Sequence, residues 1–313
     1  MKPVQPAALK KGDVIGVISP ASPIADASRI QTGVRYLERL GYRVLIGENV
    51  GKTHGYLAGS DTDRVKDLHQ MFAEKRVKAI MCVRGGYGTP RLLPLLDYGL
   101  IARNPKIFVG FSDITALQLA FWKKCRLMSF HGPMLGVDFG GEVDPYTEES
   151  FWNMVSSTKK MGEVRFPDNT PTQVLRDGGA SGRLLGGNLS LIASLMGSPF
   201  EPDFAGSLLF IEEVGEEPYR VDRMMTQLRI ASVLSRVEGI LAGQFSDCTP
   251  RDATQPSLSI GDILGENAAA ASKPFLADLP FGHVAKKMTL PVGLMARLDT
   301  GRRSIEYMEA AVC

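Results

Sequence analysis

At 313 residues the chain has room for two domains or one large one. Hydrophobic residues make up 44% and charged residues 22%, ordinary for a globular protein, and a formal net charge of +2 gives no global electrostatic reason for a nucleic-acid or membrane partner. Cys82, Cys125, Cys248 and Cys313 lie far apart with no Cys-x-x-Cys pair, which argues against structural zinc or a disulfide framework and for a reducing compartment. The first six residues lack the apolar core of a secretory signal, and no apolar run reaches membrane-spanning length, so a cytoplasmic location is expected.

Val14–Ser19 is a continuous apolar run, as in a strand covered on both faces, and Pro20 ends it. Ile24–Leu40 has helical spacing, with Ile30, Val34, Leu37 and Leu40 on one side and Gly41 as the stop. Tyr42–Ile46 reads as the next strand. Asp61 can cap a helix running to about Lys75, with Val65, Leu68 and Phe72 inward. Ala79–Val83 and Ile107–Val109 are further strands. Helical spacing resumes from Ile114, through Leu117, Leu119, Ala120 and Phe121. This alternation predicts an α/β unit, a doubly wound parallel sheet whose ligand crevice lies beyond the carboxyl ends of its strands.

A helix is expected near Tyr146–Val155, followed by a polar, proline-bearing linker within Lys159–Thr172. The expected division is residues 1–160, a linker at 161–172, and a second unit at 173–313. In that unit Gly186-Gly187-Asn188 reads as a turn into a helix, and Leu208–Ile211 as a strand ending at Glu212-Glu213. Tyr219–Ile230 is an amphipathic helix, Gly239–Phe245 a strand and Ile260–Ala271 a helix. Phe281-Gly282-His283 falls in a loop, and Arg297–Met308 reads as a hairpin around Asp299-Thr300-Gly301. The second unit is therefore a smaller α/β domain carrying a terminal hairpin.

Chemistry concentrates at two loops. Gly110 permits a sharp turn, so Ser112 sits at a strand-to-helix junction, a position that suits a nucleophile and equally a helix cap. Arg84-Gly85-Gly86-Tyr87-Gly88 follows the preceding strand. If the two strands are neighbours, the Gly86 and Asp113 N–H groups can form an oxyanion hole; a plain glycine turn is the alternative. The loop matches neither dinucleotide nor Walker patterns. Glu212 ends an apolar strand, His283 lies in a glycine-flanked loop, and His131 is a candidate for lining the crevice. Each has a bland reading: salt bridge, surface contact, structural histidine. Together, Ser112, His283 and Glu212 offer nucleophile, base and orienter in an interdomain cleft.

The chain resembles the LD-carboxypeptidase family of serine peptidases (murein tetrapeptide carboxypeptidases, with microcin-immunity peptidases as a branch). The resemblance runs nearly end to end. It is carried by Val17–Ser22, Arg84-Gly-Gly-Tyr-Gly88 with Arg91, Gly110-Phe-Ser-Asp113, His131-Gly-Pro133, Gly186-Gly-Asn188, Phe210-Ile-Glu-Glu213 with Tyr219–Arg223, and Gly282-His283. It implies a Ser112–His283–Glu212 triad, with Glu213 as the rival acid and Gly86 and Asp113 as the oxyanion hole. Tyr87, Arg91 and His131 become candidate substrate contacts. The implied reaction is hydrolysis of the bond from the L-centre of a diamino acid to terminal D-alanine in a cytoplasmic muropeptide, with no metal or cofactor, in a protein that is often a homodimer. A terminal carboxylate needs a cationic or N–H-rich pocket, and Arg84, Arg91, Arg183, Arg220 and Lys286 all remain candidates for it. Ile114 stands where an α/β-hydrolase elbow has glycine, so kinship with that class is not implied. Two other readings are a microcin-immunity type peptidase cleaving peptidyl or aminoacyl nucleotides, for which Trp152 offers an aromatic shelf, and a non-catalytic two-domain binding protein.

Overall fold

The structure, a computed structural model, describes residues 2–313. In the first half, strands β1 (Val14–Ile18), β2 (Arg43–Ile46), β3 (Val77–Cys82), β4 (Ile107–Gly110) and β5 (Ser129–His131) alternate with α1 (Ser28–Arg39), α2 (Asp61–Ala73), α3 (Tyr98–Arg103) and α4 (Thr115–Cys125), and α5 (Pro145–Ser156) follows. Every residue of β1 and β4 is buried, as their unbroken apolar sequences require. Helix α2 is set by a capping box: Ser60 Oγ accepts the Asp63 N–H and the Asp63 carboxylate accepts the Ser60 N–H, each at 3.1 Å. Ser60, not Asp61, is thus the cap. The Asp61 carboxylate is drawn off by Arg64 and Arg91.

The second half holds β6 (Gly162–Glu163), β7 (Gln173–Arg176), β8 (Gly179–Asn188), α6 (Leu189–Leu195), β9 (Ser207–Val214), α7 (Pro218–Ile230), α8 (Val233–Arg236), β10 (Gly239–Ser246), α9 (Ile260–Ala271), β11 (Phe275–Ala277), β12 (Leu290–Val292), β13 (Met295–Asp299) and β14 (Ser304–Tyr307). Two sheets result, ordered β12-β5-β4-β3-β1-β2 and β6-β14-β13-β8-β9-β10-β11-β7. The strands of the first pair in parallel except β12, a late segment that returns to lie antiparallel on β5. Strand order reverses between β1 and β3, the switch point at which such sheets place ligands. In the second sheet β8 to β11 are parallel, flanked by antiparallel strands that include the expected hairpin β13–β14.

Helix α4 is the wedge between the sheets. It is apolar nearly all round and almost wholly buried, which a helix facing a core on two sides must be. Its N-terminus docks on β8 at Gly186-Gly187. These glycines do not form the expected turn; β8 runs straight through them into Asn188. Gly187 has φ +139, and a side chain there would strike Thr115 of α4. The missing Cβ is what lets the helix approach, and the Asn188 N–H then donates to Thr115 Oγ1 at 3.0 Å. Short strands β7, β11 and β12 also escape the periodicity reading, being three or four residues long, with Pro291 inside β12.

Candidate active site

Strands β3 and β4 are parallel neighbours, with Met81 opposite Val109, so the loops at their carboxyl ends meet. Ser112 follows β4 after Phe111 and opens a short 3-10 turn, Ser112–Ile114, ahead of α4. Its φ is +63, a left-handed conformation that a non-glycine residue adopts at a cost and that recurs at functional turns. A Cβ on Gly85 would stand 2.8 Å from the Ser112 Cβ, so only glycine admits the serine at this distance. The two loops are also bonded together. The Asp113 carboxylate accepts the Thr89 N–H at 2.8 Å, and the Thr89 hydroxyl donates to the Asp113 carbonyl. Burial pushes the Asp113 carboxyl above its ordinary range, although the Thr89 and Gly88 hydrogen bonds oppose the shift. Across the turn Ser22, from the β1 loop, accepts the Tyr87 N–H at 3.0 Å. The Gly86 and Asp113 backbones are therefore held around Ser112 from three strand ends.

Glu212 lies inside β9, opposite Asn188 of β8, and is fully buried. Its Oε2 is 2.8 Å from His283 Nδ1. Its other oxygen, Oε1, is buried without a hydrogen-bond partner among the described residues. The His283 ring packs edge-on against Phe111, centroids 5.0 Å apart, and is 22% exposed. Ser112 and His283 line one cavity of about 370 Å³ at the switch point, shared with Ile24, Arg29, Arg84 and Met134. With Nδ1 committed to Glu212, the remaining ring nitrogen is the one available to the serine proton.

Glu213, the rival acid, points away. It accepts from Asn188 Nδ2 at 2.8 Å, Ser190 N at 2.8 Å and Ser190 Oγ at 2.7 Å, which ties α6 to the sheet, and burial raises its carboxyl. Tyr87, Arg91 and His131 do not line the Ser112 cavity. Tyr87 is exposed against Tyr56, rings 5.4 Å apart. Arg91 is forked onto Asp61 at 2.8 to 3.1 Å. His131 is sealed among Phe111, Phe210 and Phe281, with neither ring nitrogen hydrogen-bonded among the described residues, and burial pushes its imidazole down to about 4.

Sequence reasoning misses the supports of the His283 loop. Lys287 is buried, paired with Asp138, and its ammonium lies 4.4 Å from the Phe111 ring centroid. Thr147 of α5 donates to the Ala285 carbonyl at 2.8 Å and accepts the Lys287 N–H at 2.9 Å. A lysine set just before the apolar Met288–Val292 run is the one signal that could have marked this anchor.

A family model described as the LD-carboxypeptidase N-terminal domain matches residues 15–132, and one described as the LD-carboxypeptidase C-terminal domain matches residues 181–298. The chain belongs to the LD-carboxypeptidase family. It is 41% identical over 310 residues to a probable murein peptide carboxypeptidase of Bacillus subtilis, covering 98% of this chain and 95% of that one. The structure of a muramoyltetrapeptide carboxypeptidase from Oxalobacter formigenes superposes with a TM-score of 0.82 at 32% identity, over 94% of this chain and 97% of the other. MccF in complex with glutamyl sulfamoyl guanosine superposes with a TM-score of 0.92 at 27% identity, over 99% and 100%. This LD-carboxypeptidase family member is an enzyme, a serine-type carboxypeptidase, which sets aside the non-catalytic reading.

Proposed function

We propose that the enzyme is an L,D-carboxypeptidase that releases terminal D-alanine from murein tetrapeptides, acting in cell-wall recycling through Ser112, His283 and Glu212. The observation that carries the assignment of roles is the 2.8 Å contact of Glu212 with His283 beside a cavity shared with Ser112. The relatives named for murein peptides favour the substrate.

In this mechanism Ser112 Oγ attacks the scissile carbonyl while His283 takes the hydroxyl proton. Glu212 holds the Nδ1–H tautomer and stabilises the imidazolium. The Gly86 and Asp113 N–H groups receive the oxyanion. Collapse breaks the C–N bond, the imidazolium proton passes to the departing D-alanine amine, and an acyl-enzyme remains. Water, activated by the same imidazole, then attacks the ester and returns Ser112 to its hydroxyl form. The family likeness extends the proposal to a cytoplasmic homodimer. The test is the Ser112→Ala protein incubated with a murein tetrapeptide. Turnover is expected to fall by several orders of magnitude, and D-alanine released at the wild-type rate would refute the mechanism.

A second reading, cleavage of a peptidyl or aminoacyl nucleotide, draws on the higher TM-score against MccF. Relative kcat/KM for a murein tetrapeptide and for an aminoacyl sulfamoyl nucleoside decides between the two.

A further inference from the structure

The geometry points to Arg84 as the residue that binds the terminal carboxylate of the substrate and so makes the enzyme cut at a chain end. This rests on the serine-peptidase reading above. A carboxypeptidase recognises a carboxylate only two bonds beyond the scissile nitrogen, so a cation that pairs with it must stand beside the oxyanion loop within the nucleophile's cavity.

Of the cations that the sequence leaves open, Arg84 alone lines that cavity. Arg91 is forked onto Asp61. Arg183 is held by Glu309 and the Gly293 carbonyl, at 2.9 and 2.7 Å. Arg220 lies near Glu216 at 3.7 Å and is not among the residues lining the cavity. Lys286 is exposed and outside the cavity, and the neighbouring Lys287 is buried against Asp138.

Arg29 also reaches the cavity wall, but its Nε and Nη2 are spent on the carbonyls of Gly136 and Val137, at 2.7 and 2.8 Å. Among the described residues the Arg84 side chain donates one hydrogen bond, from Nη1 to the Pro23 carbonyl at 3.2 Å. The rest of its planar fork is uncommitted, and a guanidinium presents parallel N–H groups that match a carboxylate. Its Nη2 lies 3.5 Å from where a Cβ of Gly86 would be, which sets the fork against the proposed oxyanion donor. The carboxylate in the cavity wall, Asp26, accepts the Ser28 N–H and hydroxyl on Oδ1 at 2.9 and 2.6 Å, and among the described residues it forms no ion pair with Arg84.

The test is binding, measured by calorimetry in the Ser112→Ala background so that turnover does not intervene. A murein tetrapeptide with a free terminal carboxylate is compared with the same peptide ending in a carboxamide. The acid is expected to bind about 10- to 100-fold tighter than the amide. Adding Arg84→Met should abolish that ratio by weakening the acid and leaving the amide unchanged, and Arg84→Lys should restore part of it. A ratio untouched by Arg84→Met, or an equal loss for acid and amide, overturns the assignment of Arg84. D-alanine accumulating during the Ser112→Ala titration overturns the serine mechanism instead, so the two failures are told apart.

Discussion

Thr115 Oγ1 accepts the Asn188 N–H at 3.0 Å, and Asn188 stands opposite Glu212 in the β8–β9 ladder. One hydrogen bond thus links the helix that follows Ser112 to β8, the strand paired with the one that carries Glu212. The relative position of the proposed nucleophile and acid is set by this junction, and Gly187 is what permits it.

Gly187→Ala is therefore expected to lower both stability and activity. The added methyl meets Thr115, and the alanine must adopt φ +139. Overpacking of this kind costs roughly 1–3 kcal/mol, read as a lower urea midpoint. The turnover number should fall as well, because α4 and Ser112 shift together. An unchanged midpoint would mean that the docking is softer than the geometry requires.

The two adjacent acids should separate cleanly. Glu212→Gln presents the imidazole with an amide and loses the carboxylate that fixes its tautomer, so kcat should fall on the order of ten-thousandfold, as for the equivalent change in another triad. Glu213→Gln keeps His283 in place but sets an amide against the Asn188 and Ser190 donors. Its loss should appear as about 1–3 kcal/mol of stability, with kcat/KM per folded molecule retained. Steady-state kinetics beside denaturant unfolding of both variants checks this, and the reverse pattern would exchange the roles.

His131 predicts an acid limb of stability. The folded protein holds this imidazole neutral, with a pKa pushed down to about 4 by burial. The unfolded chain takes up the proton near an ordinary value of about 6.5. Stability is thus complete above that value and is lost as pH falls from about 6.5 toward 4, by about 3 kcal/mol in all. Urea midpoints at pH 7 and pH 5 should differ less in His131→Leu than in the wild type. Equal differences would place the acid sensitivity elsewhere.

The Ser112 turn is legible in the sequence because an apolar strand, a glycine and a helical period stand side by side there. His283 with Glu212 is legible only as a pairing of types, since nothing local says that a residue of β9 and a loop 71 positions later will touch. The resemblance supplies that pairing. Gly186-Gly187 reads as a turn because glycine pairs usually are turns; the reason they sit in a strand is a partner from the other half of the chain. Arg91 and His131 read as candidate contacts for the same reason in reverse. What removes them from the cavity is Asp61 in one case and a cage of phenylalanines in the other, both distant in sequence.

The placement of β12 on β5 has a consequence for the newborn chain. The edge strand of the first sheet arrives only with residues 290–292, and His283 lies just ahead of it on a loop pinned by Thr147 and Asp138. A ribosome can release most of the polypeptide, and the first sheet can begin to assemble, with the proposed general base still in the exit tunnel. Hydrolytic competence then arrives late, when the segment carrying His283 and β12 docks, so translation products that stop short of His283 would be inert rather than partly active.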